Sequence, residues 1–126
     1  NIPIIVTQTK TAEMVKYFTN CFLAAKVTFA NQMHDICKAA DIDYDKVFEY
    51  ALYDNRIGKS HLAVPGPDGD YGFGGHCFPK DLAAMINFGA NLLVQTGFLQ
   101  EIASTNDYYR TNKDWEKMKG RAVSDD

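Results

Sequence analysis

The sequence predicts an all-α fold, in which one long central helix is accompanied by shorter helices. Apolar residues recur at three- and four-residue intervals from Thr11 to Ala40, which is the spacing of one helix face. Helical spacing returns over residues 44–53 and again after Lys80. A chain of 126 residues, with 46% hydrophobic and 23% charged residues, suffices for one globular domain.

The long helix is predicted from Thr11 to Ala40 and would extend about 45 Å. We interpret residues 1–8, which are apolar and β-branched, as the end of a strand from a preceding domain. The stripe of large apolar side chains on the helix comprises Val15, Phe18, Phe22, Ala25, Phe29 and Ile36. Because this stripe exceeds what a small monomer readily covers, we predict that the helix crosses a second copy in an intertwined homodimer.

A second helix is predicted from Tyr44 to Tyr53, with Asp43 or Asp45 as its N-cap. Its expected inward-facing residues are Val47, Phe48, Ala51 and Leu52. Prolines and glycines then exclude a continuous helix or strand over residues 54–76, so this segment is predicted to be a loop. Loops of this length in compact domains are usually functional.

The remainder of the chain is predicted to be helical up to a short tail. A helix is expected over residues 80–88, where Gly89 supplies a stop signal. A further helix or pair of helices spans residues 91–113. Residues 114–126 are mostly charged or small and are interpreted as a charged tail. The predicted helical domain therefore covers residues 9–113.

Composition argues against several classes of function. The net charge of −3 and the lack of a Lys/Arg-rich stripe give no basis for nucleic-acid binding. No apolar run is long enough to span a membrane. Three cysteines without a Cys-x-x-Cys pair favour a reducing, cytoplasmic environment. His34 and Cys37 lie three residues apart but lack a further ligand pair, so no metal site is predicted.

The strongest functional signal is YGFGGHCFPKD, from Tyr71 to Asp81. Its three closely spaced glycines permit positive φ angles and a close approach of the backbone to another group. Because Pro79 is favoured at the first helical position, Cys77 is expected just before a helix N-terminus, where the macrodipole and Lys80 favour a thiolate. A lone cysteine is more often a small buried hydrophobe. Turn residues, not a strand, precede the glycines, which argues against a phosphate-binding loop.

Three segments resemble one known family. GFGGHCFPKD closely resembles the nucleophile motif of the UDP-glucose/GDP-mannose dehydrogenase family. AEMVKYFTNCFLA, residues 12–24, resembles that family's long helix with a catalytic lysine and asparagine. DNRIG, residues 54–58, resembles its arginine loop. The segments occur in the family's order, and the resemblance covers roughly residues 8–110.

The resemblance implies a domain type and its missing neighbours. The domain would be the central helical dimerisation domain of a nucleotide-sugar dehydrogenase, similar to the C-terminal domain of 6-phosphogluconate dehydrogenase. A Rossmann domain that binds NAD would precede it, and a second nucleotide-binding domain would follow. No Gly-x-Gly-x-x-Gly fingerprint precedes the first helix, so this chain is expected to lack the NAD-binding domain.

The resemblance also assigns roles to individual residues. Catalytic roles are implied for Cys77, Lys16, Asn20 and Asp81. Substrate contacts are implied for Lys16, Asn20, Arg56, Phe73 and Gly74, with Arg56 reaching the sugar nucleotide of the neighbouring subunit. Contacts with NAD are implied for Cys77 and Lys80. His76 adjoins the nucleophile, but neighbouring side chains usually diverge, so no Cys–His pair is expected.

The implied reaction oxidises the C6 hydroxyl of UDP-glucose to UDP-glucuronate with NAD, through a thiohemiacetal and a thioester on Cys77. GDP-mannose and UDP-N-acetylhexosamines remain alternative substrates. A helical homodimerisation module without activity of its own is the alternative of a different class. Considered without the resemblance, Lys16 and Asn20 also fit an ordinary solvated helix face.

Overall fold

The computed structural model describes residues 9–118. Its elements are α1 (Thr9–Ala39), α2 (Tyr44–Ala51), α3 (Cys77–Asn91), α4 (Gly97–Tyr109) and a 3-10 helix (Asp114–Met118). This part of the chain contains no strand, so the predicted all-α class is confirmed. The long helix α1 contacts the other three α-helices. Within residues 9–118 no helix combines the length and the apolar character needed to cross a membrane.

Two groups of buried residues hold the helices to α1. The glycine-rich loop is the part of the long loop from residue 66 to residue 76. The first group joins α1 to α3, α4 and this glycine-rich loop, and comprises Cys21, Ala24, Phe73, Leu82 and Ile102. The second joins the C-terminal half of α1 to α2 and the preceding part of the loop, and comprises Ala30, Cys37, Tyr44, Leu62 and Val64. The members from α1 are small, so the neighbouring elements approach its backbone closely.

The predicted apolar stripe of α1 lies on the outside of this chain. Phe18 is 72% exposed, and Phe22 and Phe29 are also more than half exposed. The face that packs inward instead carries small and polar residues such as Ala24 and Asn31. Spacing alone identified an apolar face, but it could not tell which face packs within the chain and which is left for another surface.

Helix α2 begins where the sequence predicts it to begin. Asp43 is the N-cap, and its carboxylate accepts a 3.0 Å hydrogen bond from the backbone N–H of Asp45. The inward orientation expected for Val47 and Ala51 is wrong, since both are exposed. Tyr44 is buried instead, and its hydroxyl donates a 2.6 Å hydrogen bond to the carbonyl of the loop residue Leu62.

Helix α3 is longer at both ends than predicted. It begins at Cys77 and continues through Gly89 to Asn91, so the expected stop at Gly89 is wrong. Gly89 is buried, and a Cβ atom there would collide with the side chain of Thr96. This glycine permits the α3–α4 connection to pass close to α3. Helix α4 begins only at Gly97, six residues later than the predicted segment begins.

The ends of the chain are described only in part. The predicted strand end at residues 1–8 lies outside the described residues, as do residues 119–126 of the predicted tail. Residues 114–118 form the 3-10 helix, which the sequence analysis did not predict. Trp115 is partly buried there and lines a cavity of about 190 Å³ with residues of α3 and α4.

Candidate active site

Cys77 lies at the N-terminus of α3 with its thiol exposed, while Cys21 and Cys37 are buried. The helix starts at the cysteine, so Pro79 is its third residue. The prediction that Pro79 is the first helical residue is therefore wrong. The position still exposes the sulfur to the positive end of the helix dipole. Sγ of Cys77 lies 3.9 Å from Nδ1 of His76, so the expectation that these side chains diverge is wrong, although the contact is long.

Asp81 is the centre of a charged cluster one turn after Cys77. Its carboxylate is fully buried. Oδ2 accepts a 2.6 Å hydrogen bond from Nδ2 of Asn20. Oδ1 has no hydrogen-bond partner among the described residues, but Nζ of Lys80 lies 3.5 Å away and Nζ of Lys16 lies 3.8 Å away. Three other predicted site residues are therefore brought together around the buried carboxylate of Asp81.

The helices explain this arrangement. Lys16 and Asn20 are four residues apart on α1, and Cys77 and Asp81 are four residues apart on α3, so each pair shares a face of its helix. Since α1 packs against α3, the two faces meet. The side chain of Lys16 is 52% exposed, so solvent screens its attraction to Asp81 and leaves the ammonium accessible to a ligand.

Burial and the charges of the cluster shift the pKa values of Lys80 and Cys21. Burial acts to lower the pKa of Lys80, but Asp81, Lys16 and Cys77 together outweigh it, with Asp81 the first of them, and the net pKa lies above its ordinary value. Burial, with a further contribution from Asp81, raises the pKa of the Cys21 thiol to about 11. Lys80 therefore remains an ammonium, and Cys21 remains a protonated thiol that is unsuited to nucleophilic attack.

Phe73 and Gly74, predicted to contact substrate, line a cavity of about 420 Å³ beneath the glycine-rich loop. The ring of Phe73 is buried in the core, with its centroid 6.0 Å from that of Phe78 in an edge-on arrangement. Phe78 and the exposed His61 also line the cavity. This cavity adjoins the start of α3, because Gly74 and Phe78 flank Cys77 in sequence.

Arg56 lies apart from this cluster in the described chain. Its guanidinium is exposed and donates hydrogen bonds of 2.9 and 2.6 Å to the two carboxylate oxygens of Asp54. These bonds hold the pKa of Asp54 below its ordinary value. Nζ of Lys26 on α1 donates a 3.2 Å hydrogen bond to the carbonyl of Gly58, which fixes the end of the arginine loop. The predicted contact of Arg56 with a neighbouring subunit remains a prediction.

Two buried amides that the sequence analysis missed hold the glycine-rich loop. Oδ1 of Asn31 accepts a 3.0 Å hydrogen bond from the N–H of Gly72. Oδ1 of Asn106 accepts a 2.7 Å hydrogen bond from the N–H of Phe73, and its Nδ2 donates a 2.9 Å bond to the Phe73 carbonyl. A signal was present, because Asn106 continues the inward spacing of Ile102 on α4, where an amide must find partners.

Arg110 was also missed, and it anchors the earlier part of the same loop. Its side chain is only 1% exposed, and Nη2 lies 2.8 Å from the carboxylate of Asp68. Hydrogen bonding to Arg110 lowers the pKa of Asp68. Nη2 also lies 3.5 Å from Asp114, which accepts a 2.9 Å hydrogen bond from the N–H of Gly75. The loop is thus held at its start, its middle and its end.

Among the described residues, no group of three or more His, Cys, Asp or Glu side chains could hold a metal ion. The chemistry available here is that of an exposed thiol, two ammonium groups, an amide and a buried carboxylate. Those groups suit nucleophilic addition to a carbonyl, followed by stabilisation of the resulting oxyanion.

Comparison with known proteins gives the family. The family model described as "UDP-glucose/GDP-mannose dehydrogenase family, central domain" matches residues 10–108. This chain belongs to that family. The resemblance seen in the three sequence segments is therefore confirmed, and so is the assignment to a family of dehydrogenases.

Individual members of the UDP-glucose/GDP-mannose dehydrogenase family are clearly similar to the chain. UDP-glucose 6-dehydrogenase TuaD of Bacillus subtilis is 34% identical over 110 residues, which are 87% of this chain and 23% of that protein. UDP-glucose 6-dehydrogenase AglM of Haloferax volcanii is 38% identical over 107 residues, which are 85% of this chain and 24% of that protein.

A solved UDP-glucose dehydrogenase from the hyperthermophilic archaeon Pyrobaculum islandicum has the same fold over most of the chain. Its TM-score is 0.77 with 37% sequence identity, and the match covers 86% of this chain and 24% of that one. The chain therefore spans about a quarter of the length of the relatives it matches. Its helical architecture is that of the central domain of this family.

Proposed function

We propose that this chain is the central part of an NAD-dependent nucleotide-sugar 6-dehydrogenase that oxidises the C6 hydroxyl of UDP-glucose to UDP-glucuronate. The observation that carries the proposal is the exposed thiol of Cys77, one helical turn from the buried Asp81, which Asn20, Lys16 and Lys80 surround. The names of the relatives favour UDP-glucose over other nucleotide sugars.

Oxidation of an alcohol to an acid removes two hydrides, and NAD, when bound, accepts a hydride from C6. Cys77 and Lys80 fit the edge of such a site, because the thiol is exposed and the Lys80 side chain is 31% exposed. The backbone N–H groups of Gly72, Phe73 and Gly75 do not fit a pyrophosphate cradle, since side chains already accept their hydrogen bonds. We assign that cradle to a Rossmann domain preceding this chain in the intact enzyme.

Cys77 would hold the intermediate between the two oxidations. Its thiolate adds to the C6 aldehyde, forming a C–S bond while the carbonyl oxygen takes the electron pair and then a proton, which yields a thiohemiacetal. Loss of the second hydride from C6 to another NAD, together with loss of the hydroxyl proton, would convert this intermediate into a thioester. Water then attacks the thioester, the C–S bond breaks, and the acid leaves while the sulfur is regenerated.

Lys16 and Asn20 would stabilise the oxyanion formed at each tetrahedral stage. An amide nitrogen carries two hydrogens, so Asn20 can donate one to Asp81 and the other to substrate. Lys16 lies at ion-pair distance from Asp81 and is half exposed, so its ammonium can reach a substrate oxygen. One well-placed donor of this kind is worth about 3 kcal/mol. Asp81 would fix the orientation of both donors.

The nucleotide sugar would extend from the sulfur into the cavity of about 420 Å³ lined by Phe73 and Gly74. The C6 end would then lie at the start of α3, and the remainder of the substrate would contact the glycine-rich loop. Arg56 would contact the sugar nucleotide bound to the other subunit, because its exposed side chain lies at the far end of the long loop from the glycines that precede Cys77.

The exposed face of α1 would pair with a second copy of the chain. Phe18, Phe22 and Phe29 are more than half exposed along one side of a 31-residue helix, a pattern suited to a symmetric, self-complementary contact. Val15 and Ile36 extend the same exposed face towards the two ends of the helix. A homodimer formed through this face would bring two active sites into one assembly.

The test is turnover by the intact enzyme, that is, this chain with the preceding Rossmann domain and the following nucleotide-binding domain, with UDP-glucose, GDP-mannose and UDP-N-acetylglucosamine as separate substrates. With UDP-glucose we expect two NADH for each UDP-glucuronate formed. Cys77→Ser should stall after the first hydride and yield little acid, because the hydroxyl is the poorer nucleophile. Normal acid formation by Cys77→Ser contradicts the mechanism, and lack of turnover with all three sugars contradicts the function.

A further inference from the structure

We propose that Asn106 is the positioning residue for the nucleophile: its amide fixes the glycine-rich loop from which Cys77 enters α3. This inference rests on the proposed function, because it takes Cys77 as the nucleophile. The amide of Asn106 is 3% exposed and bonds both polar groups of one loop residue, accepting from the N–H of Phe73 and donating to its carbonyl. Such a two-point contact fixes the orientation of that peptide as well as its distance.

The position of Phe73 matters because its ring and its backbone are held by different elements. The ring packs between residues of α1, α3 and α4 in the first core group. Asn106 on α4 bonds both the backbone N–H and the carbonyl of Phe73, while the preceding N–H, of Gly72, is held by Asn31 on α1. Cys77 lies four positions after Phe73, so we expect a shift of this peptide to reach the start of α3.

Gly72 supplies an independent sign that the loop is fitted to this amide. Its φ is +67°, and a Cβ atom there would collide with Oδ1 of Asn106. Gly69, earlier in the same loop, has a similar φ of +82° but nothing within 4 Å of the position of its Cβ. An alanine would therefore be strained at either position, and of these two glycines only Gly72 also makes room for Asn106.

Asn106 touches neither the carboxylate of Asp81 nor the thiol, so it acts through the loop. Its removal should change the approach of the thiol to the aldehyde more than the binding of the sugar nucleotide. A misplacement of about 1 Å can cost about 10²-fold in rate. We therefore expect Asn106→Ala in the intact enzyme to lower kcat by about that factor while KM for UDP-glucose changes far less.

The alkylation rates of the three cysteines separate positioning from general loss of structure. Cys77 is exposed and should react with iodoacetamide, whereas the buried Cys21 and Cys37 should be protected. In Asn106→Ala we expect the rate at Cys77 to change several-fold while Cys21 and Cys37 stay protected, as measured by peptide mass spectrometry. The matched control is Asn91→Ala, the same substitution at an exposed residue of α3, which should leave all three rates unchanged.

A second pair of variants displaces the amide without removing it. Gly72→Ala should reproduce the fall in kcat and the altered reactivity of Cys77, whereas Gly69→Ala introduces similar backbone strain and should keep both close to their original values. If Asn106→Ala does not fold, this pair decides the question.

The proposal is overturned if kcat and the Cys77 rate are unchanged in Asn106→Ala and Gly72→Ala. It is also overturned if Cys21 and Cys37 become reactive together with Cys77, since Asn106 would then be merely structural. Lack of turnover by the unsubstituted enzyme would refute the proposed function instead, while the alkylation rates would still decide whether Asn106 positions Cys77.

Discussion

The side-chain amide of Asn20 donates a 2.6 Å hydrogen bond to the carboxylate of Asp81, 61 residues later in the chain. This bond joins α1 to the first turns of α3, and Lys16 and Lys80 lie around the same carboxylate. A fully buried carboxylate requires such partners, because an isolated buried charge is strongly unfavourable. Asn20 and Lys16 contact the same carboxylate, so substitution of either residue tests whether the two act together on one oxyanion.

Lys16→Ala separates a catalytic lysine from a solvated one. A surface lysine would change stability by within about 0.5 kcal/mol and leave turnover intact. If Lys16 stabilises the oxyanion, the protein should stay folded by circular dichroism while kcat falls by about 10²-fold, with a much smaller shift in KM. Lys38→Ala, at the exposed far end of the same helix, is the control. Full activity in Lys16→Ala would remove the lysine from the mechanism.

Asn20→Ala should act in the same direction as Lys16→Ala. The double variant should lose less than the product of the two single effects, because both donors serve one oxyanion. Steady-state NADH production by the intact enzyme measures all three variants. Independent, fully multiplicative losses would indicate that the two side chains act at different steps.

Asp81→Ala and Asp81→Asn should differ in stability. Alanine leaves Nδ2 of the partly buried Asn20 without its acceptor, and the cost should not exceed the about 1–3 kcal/mol of a fully buried polar group. Asparagine can retain an acceptor oxygen for Asn20, so urea unfolding should show a smaller loss. It also removes the charge that raises the pKa of Lys80. Equal stability of the two variants would contradict this account of the cluster.

Cys21 should make the folded chain sensitive to alkaline pH. Burial, reinforced by Asp81, raises the pKa of its thiol from 9.0 to about 11. Between these values the unfolded chain loses a proton that the folded chain retains, so the free energy of unfolding falls as pH rises. Cys21→Ala should flatten urea-derived stability over that interval. Tyr44, whose pKa burial raises from 10.0 to about 12, would preserve the decline at higher pH.

Phe18→Asp tests the homodimer. If α1 pairs with a second copy, a carboxylate at this position would be buried without a partner, and the dimer should dissociate. Sedimentation at micromolar concentration measures the change. Tyr53→Asp replaces an even more exposed aromatic residue outside α1 and should leave the dimer intact. A monomer before any substitution would contradict the pairing itself.

The features that local sequence specifies were predicted well. Apolar spacing predicted α1 to within about two residues at each end, and Asp43 was one of the two residues proposed as the N-cap of α2. The grouping of Lys16 with Asn20 follows from helix geometry alone. The start of α3 at Cys77 was missed, because proline was placed at the first helical position when it also fits the third.

The features that depend on packing between distant segments were missed. The inward face of α1 is small and polar, and nothing in its spacing identifies Asn31 as a contact of the loop. Asn106 and Arg110 hold residues more than 30 positions away. Such pairings arise only once α4 lies beside the loop, so the sequence alone could not select them.

The bonded backbone of the glycine-rich loop has a thermodynamic consequence. The N–H groups of Gly72, Phe73 and Gly75 have their partners before any ligand arrives. The loop therefore loses its conformational freedom when the chain folds, not when a ligand binds. Ligand binding then requires little ordering of the backbone, so the cavity wall is preorganised and the contacts made there contribute more fully to affinity.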